Sequence, residues 1–273
     1  MSIFETSPAK SIVGMVHLAA LPGSPRQELS VARITDLALH ELALYQEAGL
    51  DSILLENMHD IPYLNRKAPE ETIAAIAVIA SRLRAETDLP LGLQILAGAN
   101  RAALAVAHCA ALDYIRAEGF VFGHLADEGY MDSDAGELLR YRRQLGAEAV
   151  KIFTDIKKKH SSHSLTADTS LAETAKAAEF FLSDGLIITG SSTGEACATA
   201  DLISVRKASG LPILIGSGIT EANLAEFWPL ADAFIVGSHF KEDGIWSRPV
   251  SRERVSAFMQ KVRVLRESAG DTA

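Results

Sequence analysis

His17, Glu56, Glu118 and Asp155 each stand at the C-terminal end of a short, largely apolar run: Gly14-Met15-Val16-His17, Ile53-Leu54-Leu55-Glu56, Tyr114-Ile115-Arg116-Ala117-Glu118 and Lys151-Ile152-Phe153-Thr154-Asp155. Carboxylates gathered with an imidazole are the groups of general acid–base catalysis, and carboxylates in unlike surroundings supply both an acid and a base. The same side chains are candidate ligands for a divalent metal ion, although no motif demands one. His17 stays open between catalytic acid, metal ligand and satisfied core histidine. Lys151 has a position suited to a Schiff-base nucleophile. With Arg116, however, it sits one layer below Glu118 and Asp155 on adjacent strands, and a buried salt-bridge network is the favoured reading of these two bases.

A second chemistry is written in glycine. Leu211-Pro212-Ile213-Leu214-Ile215-Gly216-Ser217-Gly218-Ile219-Thr220 runs from an apolar stretch into a turn, and Ala233-Phe234-Ile235-Val236-Gly237-Ser238 repeats the pattern in shorter form. Glycine lets backbone N–H groups approach an anion with no Cβ in the way. Gly216, Ser217, Gly218, Gly237 and Ser238 are therefore candidate phosphate ligands. Asn57, Gln94, Arg116, Lys159, His160 and Thr189 are candidates for further substrate contacts. The run Ile156-Lys157-Lys158-Lys159-His160-Ser161-Ser162-His163 is the chain's basic cluster, either a solvated mobile lid or a cationic clamp over an anionic substrate. Thr189-Gly190-Ser191-Ser192-Thr193-Gly194 either adds donors or is a plain flexible loop.

The elements that must position these groups follow from periodicity. Eight strand-like runs recur: Ile12–His17, Ser52–Glu56, Leu91–Leu96, Tyr114–Glu118, Val150–Asp155, Leu186–Thr189, Pro212–Ser217 and Ala233–Ser238. Helical patterns lie between them, over Val31–Ala48, Glu70–Arg84, Asn100–Ala111, Glu137–Leu145, Ser170–Leu182 and Ala200–Ala208. Short helices open at Thr220 and Ser251. Continuous apolar strands alternating with amphipathic helices imply a parallel sheet covered by helices, and eight units imply a closed (β/α)₈ TIM barrel. Strand alternation then points His17, Glu56, Gln94, Arg116, Glu118, Lys151, Asp155 and Thr189 at the barrel axis. The longest loops, 18–29, 57–69, 119–134, 156–168 and 239–250, all follow strands and so share the C-terminal face.

The chain has 273 residues and no linker-like stretch, so a single domain over residues 1–273 is expected. A net charge of −9 argues against nucleic-acid binding, and no apolar run is long enough for a membrane span. Cys109 and Cys197 lack metal-like spacing, and no secretory signal is visible at the start, which points to a cytoplasmic protein with reduced thiols. Phe227-Trp228-Pro229 and Trp246 are candidates for a homo-oligomer contact, or for core or lid roles.

Taken together, several segments resemble the BtpA/SgcQ family. They are Gly14-Met15-Val16-His17-Leu18 with Leu21-Pro22-Gly23-Ser24-Pro25, Glu56-Asn57-Met58-His59-Asp60-Ile61-Pro62-Tyr63, Lys151-Ile152-Phe153-Thr154-Asp155 with Lys159-His160, and Gly216-Ser217-Gly218-Ile219-Thr220. Val236-Gly237-Ser238 with Phe240-Lys241-Glu242-Asp243-Gly244 completes the set. The resemblance implies a TIM barrel of the ribulose-phosphate-binding group and a phosphosugar-like ligand. It carries no established catalytic residues. Its cyanobacterial namesake is associated with photosystem I accumulation, while other members lie among sugar-utilisation genes. Two functions are therefore expected: an isomerase, epimerase or aldolase-type lyase acting on a small phosphorylated substrate, or a non-catalytic assembly factor.

Overall fold

A computed structural model describes residues 10–190, 196–268 and 270. The barrel strands are β1 (Ser11–His17), β2 (Ser52–Glu56), β3 (Leu91–Gln94), β4 (Tyr114–Ala117), β5 (Lys151–Asp155), β6 (Gly185–Ile188), β7 (Ile213–Ile215) and β8 (Ala233–Val236). They pair in parallel in chain order, and β8 closes on β1. The helices are α1 (Val31–Ala48), α2 (Glu70–Ala85), α3 (Asn100–Cys109), α4 (Ala135–Leu145), α5 (Leu171–Phe180), α6 (Thr199–Ala208), a one-turn α7 (Leu224–Phe227) and α8 (Arg252–Ser268). The expected TIM barrel is thus the observed one, with ends that differ by a few residues. No helix among the described residues is long and apolar enough to cross a membrane.

Local chemistry explains the boundaries. Ser30 caps α1 by accepting from the Arg33 N–H, and Gly49 ends it in the left-handed conformation. Ser170 and Glu173 form a reciprocal capping box at the start of α5. Thr220 does not open α7 directly. Its N–H donates to Asn223 Oδ1 at 2.8 Å, and the helix begins one residue after this side-chain turn.

Two apolar layers form. The outward-facing strand residues pack with the helices, including Phe227 and Trp228, which are buried; Trp228 stacks on Phe234 with ring centroids 5.5 Å apart. Those two residues belong to the core, not to an outer contact surface. The barrel interior is filled below the mouth by Val13, Met15, Leu54, Tyr114, Phe153, Ile187, Leu214, Ala233 and Ile235. Tyr114 lies so close over β3 that a Cβ at Gly92 would come within 2.1 Å of its ring, so only glycine fits there.

At the N-terminal end, an aspartate precedes every second strand. Asp51, Asp113, Asp184 and Asp232 accept the N–H groups of Ile12, Leu91, Ile152 and Ile213 at 2.7, 2.8, 2.9 and 2.8 Å. Each is also ion-paired with a helix arginine, in turn Arg266, Arg84, Arg142 and Arg206. This fourfold pattern satisfies strand N–H groups that the closed sheet leaves over.

Above the opposite end, the loops after β4 and β5 fold together. Strands His124–Ala126 and Gly129–Met131 form an antiparallel hairpin, and Ser161–Ser162 adds to its edge. The loop expected as either mobile lid or clamp is thereby built into a small sheet. Lys157 Nζ donates to the carbonyls of Thr166, at 3.1 Å, and Thr169.

Candidate active site

The strand registers set the site. His17 is level with Glu56, and Glu56 is level with Gln94, so three inward side chains from β1, β2 and β3 share the top layer. They open into a cavity of about 460 Å³ on the C-terminal face. Of the residues singled out from sequence, His17, Glu56, Gln94, Arg116, Glu118, Asp155, Lys159 and His160 line it. So do Gly216, Ser217, Gly218, Gly237 and Ser238.

Three expected site residues lie elsewhere. Lys151 is the first residue of β5 and sits at the N-terminal end of the barrel, where its ammonium is 3.4 Å from Asp184 Oδ1 and its side chain is 41% exposed. Strand parity gives the face a side chain points to; its height depends on where the strand begins, and Lys151 is a whole strand length below the mouth. It is neither a nucleophile there nor a partner of Arg116. Asn57 is spent on the loop after β2, accepting from the Leu96 N–H at 2.8 Å and donating to Asp60 at 2.9 Å. Thr189 does not line the cavity; its hydroxyl accepts the Lys159 N–H at 3.1 Å. Residues 191–194 of the loop after β6 lie outside the described residues.

The charges in the cavity are sorted into pairs. Arg116 holds Asp155 through two bonds, Nε to Oδ2 and Nη2 to Oδ1, both 2.8 Å, and both side chains are buried. Glu118 accepts from Lys158 Nζ at 3.0 Å and from Gln94 Nε2 at 3.1 Å. Asn100 fixes the Glu118 backbone on both sides, donating to its carbonyl and accepting its N–H. Such two-point, charge-assisted bonds fix geometry as well as charge.

Glu56 is different. The side chain that faces it is His17, with Nε2 3.6 Å from Oε2. Burial pushes the Glu56 carboxyl up to about 7, against the pull of Arg116 and Lys159 and with the added repulsion of Glu118 and Asp155. His17 is pushed down to about 3 by burial and by the Lys241 ammonium, so it is neutral at physiological pH. His17 Nδ1 faces the Trp246 carbonyl at 3.3 Å, an atom that only accepts. That assigns the proton to Nδ1 and leaves Nε2 as the acceptor facing Glu56. The pair is a carboxyl group that gains and loses its proton near neutrality beside a fixed neutral imidazole.

The Gly-Ser turns form the wall next to these charges, since a Cβ at Gly237 would lie 3.4 Å from the His17 ring and one at Gly216 3.3 Å from the Arg116 guanidinium. A Cβ at Gly216 would come within 2.6 Å of Ile187 and 3.0 Å of Thr189, so glycine is required for the strand to pass. Gly218 adopts φ 75°, and Asn223 clamps its carbonyl at 2.8 Å. Among the described residues, the N–H groups of Gly218, Ile219, Gly237 and Ser238 have no acceptor. Arg254, from α8, also lines the cavity and is braced by His239, whose carbonyl accepts its Nε at 2.6 Å. Met58, Ile61, Tyr63, Leu96 and Trp246 supply an apolar wall from the loops after β2, β3 and β8. Lys158 belongs to the run expected as lid or clamp, and Trp246 is a candidate from sequence for a contact, core or lid role. Arg254, Met58, Ile61, Tyr63 and Leu96 were not expected at the cavity; an arginine in an outer helix or a tyrosine in a long loop carries no periodic signal of where it points.

Among the described residues, no three His, Cys, Asp or Glu side chains are arranged to hold a metal ion. Glu118 and Asp155 are already committed to Lys158 and Arg116. The donor set does not fit the divalent ion considered from sequence.

Fold and site together define a (β/α)₈ barrel with a charged cavity at the C-terminal mouth, the face on which barrel enzymes place their chemistry. The BtpA family model matches residues 8–264. The chain belongs to the BtpA family. An uncharacterized mitochondrial protein of Caenorhabditis elegans is 46% identical over 260 residues, covering 93% of this chain and 94% of its own. The photosystem I biogenesis protein BtpA of Synechocystis is 32% identical over 262 residues, covering 95% and 91%. Among solved structures, the phosphoribosyl anthranilate isomerase of Thermus thermophilus superimposes with a TM-score of 0.60 over 94% of this chain and all of its own, at 12% identity. That likeness is one of fold.

Proposed function

We propose that this protein is an enzyme acting on a small phosphate ester, with proton transfer next to a carbonyl (isomerase or epimerase) or C–C cleavage (aldolase-type lyase) as its chemistry. The observation that carries the reading is the division of the cavity. Unpaired backbone N–H groups at Gly218, Ile219, Gly237 and Ser238, with Arg254, form one wall suited to a dianion. Glu56, a carboxyl group titrating at about 7, is set apart from that wall by His17, which stands between it and Gly237. A general acid or base is most effective when its proton affinity is near the working pH. Arg116 and Lys159 beside it are placed to polarise a substrate oxygen and stabilise an enolate.

Thermal denaturation with phosphate esters tests the reading. Binding to the native state alone stabilises by about 2.7 kcal/mol at one hundred times Kd, a rise of several degrees for a domain this size. Gly218→Asp, which places a carboxylate among the N–H groups, is expected to abolish the rise. The absence of any response to phosphate esters, or an equal response in the variant, counts against it.

The Synechocystis relative supports a second reading, a non-catalytic assembly factor. On that reading Glu56→Gln, Glu118→Gln and Asp155→Asn together would restore full function to cells lacking the protein; on the enzyme reading they would not.

A further inference from the structure

Three consecutive lysines follow β5, and the structure gives each a different fate. Lys157 caps the carbonyls of Thr166 and Thr169, and Lys158 is paired with Glu118 at 3.0 Å. Lys159 lines the cavity, and its ammonium has no hydrogen-bond or ion-pair partner among the described residues. Its backbone is held on both sides. The N–H donates to Thr189 Oγ1 at 3.1 Å, and the carbonyl accepts from Ser161 Oγ at 3.3 Å. The chain then turns at His160, with φ 54°, and enters the small sheet through the pairing of Ser161 with Ala126. This leaves the Lys159 side chain directed among the central charges, where it interacts with Arg116, Glu56, Asp155 and Glu118.

We propose that Lys159 is a catalytic nucleophile that forms a Schiff base with a carbonyl-bearing substrate, with Glu56 as the proton carrier beside it. The substrate class is thus narrowed to aldehydes and ketones; the proposed phosphate site enters only in binding the far end of such a molecule. Burial and the neighbouring Arg116 guanidinium lower the affinity of Lys159 for its proton, which increases the share of free amine. The amine lone pair attacks the carbonyl carbon, and the C=O electron pair moves to oxygen, which takes a proton. The carbinolamine hydroxyl, protonated by the Glu56 carboxyl group, then leaves as water as the nitrogen lone pair forms C=N, giving a protonated imine beside the Glu56 carboxylate. Breaking a C–H bond on the neighbouring carbon sends its electron pair into that imine to form an enamine and its proton to the Glu56 carboxylate. In C–C cleavage the departing carbon bears a hydroxyl, which gives its proton to Glu56 and becomes the carbonyl of the released fragment as the C–C electron pair forms the enamine. Reprotonation and hydrolysis return the amine, so no oxidant or reductant is needed. Lys158 and Lys151 are engaged by the carboxylates of Glu118 and Asp184, and Lys151 lies at the far end of the barrel, so neither suits this role.

Reductive trapping tests it on the intact protein. Glyoxylate or glyceraldehyde 3-phosphate is added at pH 7 with cyanoborohydride, and the modified lysines are located by tandem mass spectrometry. Lys159 is expected to be labelled at least tenfold faster than the exposed Lys67, Lys176 and Lys207, and Lys159→Arg to lose that fast phase while retaining slow surface labelling. Inorganic phosphate should slow labelling by glyceraldehyde 3-phosphate and leave glyoxylate labelling unchanged. Fast labelling of Lys159 without phosphate protection supports the nucleophile and defeats the phosphate site. Labelling of Lys159 by neither probe faster than the exposed lysines overturns the proposal, whatever the behaviour of the variant.

Discussion

The Arg116 guanidinium meets the Asp155 carboxylate edge to edge inside the barrel, with both bonds at 2.8 Å and Asp155 only 6% exposed. Neither residue is replaceable singly without leaving a charge in a place that water reaches poorly. The pair also carries Arg116 upward from a level opposite Phe153 to the cavity floor, so its geometry serves the site as well as the core. Asp155→Ala is expected to cost about 3–5 kcal/mol, the usual result of breaking a buried pair from one side. Asp155→Asn, which keeps one acceptor, should cost less. Urea denaturation of the two variants measures the difference, and equal midpoints would show that the pair does not anchor the barrel.

The Glu56 carboxyl gives stability a pH signature of known sign. Its proton is held up to about 7 in the folded state, against 4.5 in the open chain, so the folded protein binds the extra proton between those values. Stability contributed by this residue therefore falls as pH rises through that window, and the whole penalty is present above it. The shift corresponds to about 3 kcal/mol at most. His17 acts oppositely, because a lowered imidazole proton affinity makes stability fall as pH drops from 6.5 towards 3. The wild-type profile alone mixes the two. The difference between Glu56→Gln and wild type isolates the carboxyl, and it should grow in favour of the variant from pH 4.5 to 7.5 and then level off. A flat difference curve would mean that Glu56 titrates as an ordinary surface glutamate.

The barrel was legible because each β-strand is buried on both faces and each connecting helix shows one apolar stripe. The top-layer residues Glu56, Glu118 and Asp155 were legible for the same reason, since a charge ending an apolar strand has few other places to go. Lys151 was misplaced because parity is blind to height along the barrel. Arg254, Lys158 and Trp246 reach the cavity from loops and an outer helix, so tertiary packing alone decides where they point. Asp51, Asp113, Asp184 and Asp232 stand in plain view before alternate strands, yet a single aspartate before a strand looks like loop chemistry until the partner N–H and arginine are both seen.

Those four aspartates lead to a prediction confined to stability. Asp232 accepts the Ile213 N–H at 2.8 Å and pairs with Arg206 at the end of the barrel away from the cavity. Asp232→Ala should cost about 1–3 kcal/mol through the N–H left without a partner. That corresponds to a fall of several degrees in melting temperature. The response to phosphate esters should be unchanged. A variant that lost ligand response with its fold intact would show that the two ends of the barrel are coupled, contrary to this division of labour.

Arg254 provides the sharpest test of which cavity wall receives an anion. It is the arginine that α8 contributes to the cavity, and His239 already fixes its guanidinium through the carbonyl at 2.6 Å and Nδ1 at 3.2 Å. A cation braced in this way costs little further ordering when a dianion binds beside it, so its contribution should appear in affinity. Arg254→Gln should weaken inorganic phosphate binding about tenfold, the equivalent of about 1.4 kcal/mol, measured by calorimetric titration. Wild-type binding should also weaken with added salt more steeply than binding to the variant, because the variant has lost one screened attraction. Arg116→Lys, which keeps a positive charge beside Gly216 and Asp155, should leave phosphate affinity within a few-fold of wild type. If instead Arg116→Lys abolishes binding and Arg254→Gln leaves it intact, the anion sits over the charged floor and the Gly-Ser turns are structural.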